Sequence, residues 1–185
     1  MKVTSEVLIT ELIEKTRQNI NQIEALSLKP ISELNWKADS NIWSVLECIE
    51  HLNLYGDYYL PVIEQSIINN ASKPKTYFKS GALGNYFAKS MLPKEKLNKM
   101  KTFKDKNPNG SDLDKTTLNR FLIQQEKMLD LLDKARKVSL NKTKTSISIT
   151  KLIKLKLGDT FRVVIYHNER HIVQAINTLE TKTNI

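Results

Sequence analysis

The chain has 185 residues, of which 40% are apolar, 26% charged and 7% aromatic, a balance that fits one domain spanning residues 1–185 with a sizeable core. Five Gly and five Pro leave little material for a turn-rich all-β fold or a collagen-like chain, and the single Cys48 excludes a disulfide framework or a cysteine-based zinc finger. The net charge of +9 is compatible with nucleic acid, anionic lipid or a small anionic ligand, so its distribution matters.

Leu8, Leu12, Ile20 and Ile23 recur at helical spacing behind Thr4 and Ser5, and predict a first helix from Ser5 to Leu26. The opening residues mix Lys2, Ser5 and Glu6 into their apolar positions, so neither a signal peptide nor a membrane span is expected, and a reducing, cytoplasmic location is. A proline-containing loop follows. Ser44 and Glu47 form an S-x-x-E capping box that starts the second helix, with Trp43 and Cys48 as a hydrophobic staple. Ile49, Leu52, Tyr59, Ile63 and Ile67 carry its stripe to about Asn69, with Pro61 as a place for a kink.

From Lys73 to Lys106 there are ten Lys and no Arg against Glu95 and Asp105, so the basicity is local. With 24 Lys to five Arg overall, base-reading nucleic-acid recognition is disfavoured. A solvated connecting segment and a basic lip that draws anionic substrates both remain open. Phe78, Leu83, Tyr86, Phe87, Met91 and Leu92 can anchor this insertion, with a short helix near Asn85 to Leu92. The Gly81–Gly84 run beside Lys79 and Lys89 is a weak candidate for anion binding at a helix start.

Asn107–Gly110 is a turn signal, and Ser111 with Asp114 is read as the cap of a third helix ending near Lys137, with Leu118, Leu122, Gln125, Leu129 and Leu132 inward. Between Asn141 and Leu157, Ile147, Ile149, Ile153, Leu155 and Leu157 alternate with polar residues. Lacking a partner strand, this stretch is expected to lie extended along the bundle or to form a short helical turn. Gly158 and Asp159 then cap a fourth helix whose Phe161, Val164, Asn168, His171, Ala175 and Leu179 share a face. The expected fold class is all-α, a four-helix bundle with a basic insertion at about 73–106 between helices two and three.

The chain has three histidines. His167 and His171 are four apart on the fourth helix, so both rings emerge on one face, and a bundle can bring His51 of the second helix against them. Three neutral imidazoles on one divalent ion, with a position left for water, form a catalytic rather than a closed structural site. Against this, an i, i+4 pair arises by chance, and a lone histidine on an apolar face is commonly a hydrogen-bonded core residue. Glu47, one turn before His51, can orient an imidazole or metal-bound water and move protons, or can serve the capping box alone. Gln174 can line the cavity or pack at the helix end. Tyr55, Tyr58 and Tyr166 can reach a cavity rim, although core or dimer packing is the plainer reading, and Cys48 reads as a core residue.

The stretches W-S-x-x-E-x-x-x-H-L over Trp43–Leu52 and H-x-x-R-H-x-x-Q over His167–Gln174, with Leu34–Lys37 as a lead-in, resemble the DinB-like superfamily. The resemblance implies a four-helix bundle, often dimeric, with a divalent metal such as zinc or nickel on a histidine triad falling on His51, His167 and His171. Similar members include thiol S-transferases that use bacillithiol or mycothiol and a maleylpyruvate isomerase. The implied activity is that of a metal-dependent transferase or hydrolase activating a thiol or water against an electrophilic small-molecule substrate. The alternative is a non-catalytic metal- or ligand-binding stress-response bundle.

Overall fold

A computed structural model describes residues 1–93 and 102–183. In chain order the elements are β1 (Lys2–Thr4), α1 (Ser5–Ser27), α2 (Ile31–Leu34), α3 (Val45–Ile68), β2 (Tyr77–Lys79), α4 (Ala82–Met91), a 3-10 turn (Lys104–Lys106), α5 (Thr116–Ala135), β3 (Lys144–Ile147), β4 (Thr150–Lys156) and α6 (Leu157–Thr183). The fold is predominantly helical, and the four long helices form the expected bundle: α1 and α3 each pack against both α5 and α6. Lys94 to Lys101 of the basic insertion lie outside the described residues.

Local sequence explains the two helices that start the bundle. Thr4 caps α1 by accepting from the Val7 amide at 3.2 Å. At α3 both arms of the capping box form: the Glu47 amide donates to Ser44 Oγ at 3.2 Å, and the Ser44 amide donates to Glu47 Oε2 at 2.8 Å. The other two caps differ from expectation. α5 begins at Thr116, whose amide donates to Asp114 Oδ1 at 2.8 Å, while the Lys115 N-cap side chain caps nothing. α6 begins already at Leu157, and Asp159 instead caps the neighbouring α4, accepting from the Gly81 amide at 2.8 Å and from Ser80 Oγ. Arg162 Nη1 pairs with the same buried carboxylate at 3.1 Å. A buried carboxylate already occupies this helix start, so like charge opposes an external anion at Gly81–Gly84.

The stretch expected to run extended folds back on itself. β3 pairs antiparallel with β4 in the register Lys144↔Lys156, Thr145↔Leu155, Ser146↔Lys154 and Ile147↔Thr150, with an irregularity between Ser146 and Ile147. The reversal falls on Ser148 and Ile149, without the glycine or asparagine that flags a hairpin, so the sequence read as one strand. Tyr58 and Tyr59 of α3 fix it: Tyr58 Oη donates to the Ile147 carbonyl at 2.8 Å, and the Ser148 amide donates to Tyr59 Oη at 3.2 Å. A second small ladder ties β1 to β2, pairing Val3 with Phe78. Phe78 is fully buried and anchors the insertion as expected, whereas Leu83 and Tyr86 remain exposed.

The core has two apolar clusters separated along the bundle axis. One gathers Leu8, Leu12, Ile63, Leu131, Phe161 and Ile165, the other Ile23, Leu46, Ile49, Phe121, Ile172 and Ala175. In α5 Leu118, Gln125 and Leu132 face inward as expected and are joined by Phe121 and Met128, while Leu122 and Leu129 are only half-buried. Between the clusters lies a polar layer of Thr16, Asn19, Asn53, Gln125 and Asn168, all buried, in which Asn168 Nδ2 donates to Gln125 Oε1 at 3.0 Å. Buried polar groups persist where they are hydrogen-bonded. This layer occupies the level of the bundle at which His51, His167 and His171 sit.

Candidate metal centre

His51 lies on the second turn of α3 and is buried, while His167 and His171 are half-buried on successive turns of α6. Because α3 and α6 pack against each other, the three rings converge. Their centroids are 5.1 Å apart for His51–His167, 4.5 Å for His51–His171 and 4.6 Å for His167–His171. One ligand nitrogen from each ring lies within 4.8 Å of the others, so the three could hold one metal ion.

The outer hydrogen bonds orient two of the rings. His51 Nδ1 meets the Lys106 carbonyl at 2.6 Å, and a carbonyl only accepts, so Nδ1 carries the proton and Nε2 keeps its lone pair. His171 Nδ1 meets Gln174 Oε1 at 2.9 Å with the same consequence. His51 Nε2 and His167 Nε2 are 3.3 Å apart. Two nitrogens bound at about 2.0–2.1 Å to one tetrahedral ion lie roughly 3.3 Å from each other, so this pair is spaced as on a divalent cation of zinc's type.

Electrostatics favour the neutral, donating form. Burial pushes His51 down to about 4, with the Lys106 ammonium adding to the effect against the carbonyl bond. Burial, with His51 and Arg170 nearby, pushes His171 down to about 3. His167 is held well below the ordinary imidazole range by burial first and then by its two neighbours and Arg170. Ligand nitrogens are therefore available below the pH window of 6 to 7 in which ordinary imidazoles protonate.

The rings form part of the wall of a cleft of about 1090 Å3. Trp43 stands 4.8 Å from the His51 ring and 5.8 Å from His171, and Tyr55 stands 5.0 Å from His51 and 4.8 Å from His167. Burial pushes the Tyr55 hydroxyl up to about 12, with Tyr59 and Asp105 adding to the shift, so it stays protonated. Gln174 and Arg170 also line the cleft.

Glu47 is placed differently from the histidines. Its carboxylate accepts from the Ser44 amide at 2.8 Å, from the Gly110 amide at 2.6 Å and from Lys37 Nζ at 2.9 and 3.2 Å. Burial alone would raise this carboxyl, but these bonds outweigh it and hold it below the usual range. Of the two roles open to Glu47, its observed partners are those of the structural one. Lys37 Nζ also donates to Asn109 Oδ1 at 3.1 Å, so Glu47 and Lys37 together hold the loop just after Lys106, whose carbonyl orients His51.

The remaining candidates separate. Tyr55 lines the cleft, Tyr58 supports the hairpin, and the Tyr166 ring lies beside Lys15 Nζ at 5.7 Å and the Arg162 guanidinium at 5.8 Å. Cys48 is fully buried, and burial together with the Glu47 carboxylate pushes its thiol up, as suits a core residue. Sequence reasoning missed Tyr59 and the Lys106 carbonyl. Tyr55 and Tyr59 follow His51 at intervals of four, a signal that was present in the sequence. A backbone carbonyl from a distant turn leaves no such trace.

A helical bundle with a three-histidine centre opening on a cleft is the class that fold and site define. The family model of the DinB superfamily matches residues 12–175, and the chain belongs to that superfamily. None of the curated proteins and none of the solved structures matches the chain. Among the described residues, no helix is long and apolar enough to cross a membrane.

Proposed function

We propose that the protein is a metal-dependent enzyme in which His51, His167 and His171 hold a divalent ion, zinc or nickel, and a low-molecular-weight thiol or water attacks an electrophilic small molecule. Thiol S-transfer is the reaction class that fits best. The observation that carries this reading is the convergence of three imidazole nitrogens within 4.8 Å on the wall of a cleft. A bound divalent ion would supply Lewis acidity, lowering the pKa of a thiol or water toward neutrality. The chain supplies the rest. The Lys106 carbonyl and Gln174 fix the His51 and His171 tautomers. Trp43 and Tyr55 flank the rings, and Glu47 acts as a positioning residue through the Gly110 loop.

The test uses protein loaded with zinc or nickel, assayed for consumption of thiols against an activated aryl halide and for hydrolysis of ester and amide substrates. Turnover that disappears in His51→Ala and His171→Ala is expected. Turnover that survives both substitutions overturns the reading. Metal retention without turnover on any substrate identifies a non-catalytic binding bundle instead.

A further inference from the structure

The cleft is far larger than a metal site needs, and its polarity changes along its length. α3 contributes His51, Tyr55 and Tyr59 at every fourth position, and α6 runs antiparallel to it, contributing Gln174, His171, His167 and Val163. The Trp43 end is polar, with Asn41, Asn107, Arg170 and Gln174 among its lining residues. Beyond Tyr55 the lining is mostly apolar: Tyr59 and Val163 are followed by Leu155 and Ile149 of the hairpin and Phe87 of α4, with Ser148 and Ser90 among them. Two helical turns from His51 to Tyr59 span about 12 Å, the extended length of roughly nine carbons at about 1.3 Å each.

Two independent features hold this apolar end in shape. The tyrosine hydroxyls of α3 pin the hairpin that supplies Ile149. Asp159 pins the N-terminus of α4, and a Cβ at Gly84 would lie 2.5 Å from that carboxylate, so the helix carrying Phe87 sits as close to α6 as glycine allows. Ile149 is 57% exposed, which leaves the far end of the groove open rather than closed.

We infer that the cleft takes an amphipathic substrate, its polar reactive end at the three imidazoles and a linear apolar tail of up to about nine carbons lying along Tyr59 and Val163 toward Ile149. This rests on the metal-centre reading of the proposed function. A pocket built only for a small hydrophilic thiol and a compact electrophile would have no use for a second, apolar compartment continuous with the first.

Zinc-loaded protein titrated with alkyl hydroxamates, from acetohydroxamate to dodecanohydroxamate, tests the inference, because the hydroxamate head binds zinc and the tail samples the groove. Affinity should rise about two- to threefold per added methylene as apolar surface is buried, and should level off beyond about nine or ten carbons, once the tail has passed Tyr59 and emerges at exposed Ile149. Ile149→Glu should weaken the decanoyl compound about tenfold more than the acetyl one, while Leu152→Glu, 93% exposed on the same hairpin and outside the cleft, should leave the series unchanged. Acetohydroxamate binding with no dependence on chain length overturns the inference and leaves the metal centre standing. Failure to take up zinc at all overturns both.

Discussion

Acidification of the metal-free protein should destabilise it between about pH 7 and pH 5.5, a window set by the histidines because carboxylates titrate lower. Unfolded, each of the three histidines titrates near 6.5; folded, burial holds His51 at about 4, His171 at about 3 and His167 well below its ordinary value. The unfolded chain therefore binds more protons across the window, and stability is present above 6.5 and lost as pH falls toward the folded values. Per histidine, the linkage integral from about pH 7 to about pH 5.5 is about 1.2 kcal/mol, so three contribute roughly 4 kcal/mol. That is an upper limit, since His167 and His171 are only half-buried and solvent screens part of the cost. Urea denaturation of chelator-treated protein at a series of pH values measures it. His167→Gln should reduce the fall by about a third, and added zinc should oppose it by binding the neutral form. A stability that stays flat or rises from pH 7 to pH 5.5 would refute the claim that the three rings are held neutral together in the fold.

Glu47→Gln should destabilise the protein by about 2–3 kcal/mol in urea, because it removes the charge paired with Lys37 and leaves a single acceptor oxygen for the Ser44 and Gly110 amides; a loss below about 0.5 kcal/mol would mean the clamp is idle. Gly84→Ala should lower the melting temperature despite the better helix propensity of alanine, since its Cβ would meet Asp159 at 2.5 Å. A stabilised variant would show that α4 does not sit against α6 as described. Native Cys48 should resist a thiol-disulfide exchange reagent until the protein unfolds, and rapid stoichiometric reaction would contradict its burial.

The parts of this molecule that depend on local chemistry were legible in the sequence. Thr4 and the Ser44–Glu47 box mark their helix starts because capping needs only residues within one turn. His167 and His171 fall on one face for the same reason. What was hidden depends on distant chain. Asp159 lies where a cap for α6 is expected, but Gly81 of another helix claims its carboxylate. The alternation from Ile147 to Leu157 shows strand character correctly, while its reversal at Ser148–Ile149 is enforced by Tyr58 and Tyr59 rather than by a turn residue. Glu47 presents the most instructive case: spacing alone puts it one turn from His51, yet the loop at Gly110 and the side chain of Lys37 engage its oxygens, and neither is near it in sequence.

X-ray absorption at the zinc edge, on protein loaded with zinc and prepared without a polyhistidine tag, addresses the metal centre at its ligands. Three imidazole nitrogens at about 2.0–2.1 Å are expected, falling to two when His51 is replaced by alanine. A spectrum of oxygen ligands alone, or one that His51→Ala leaves unchanged, would contradict the assignment of these three side chains to one ion.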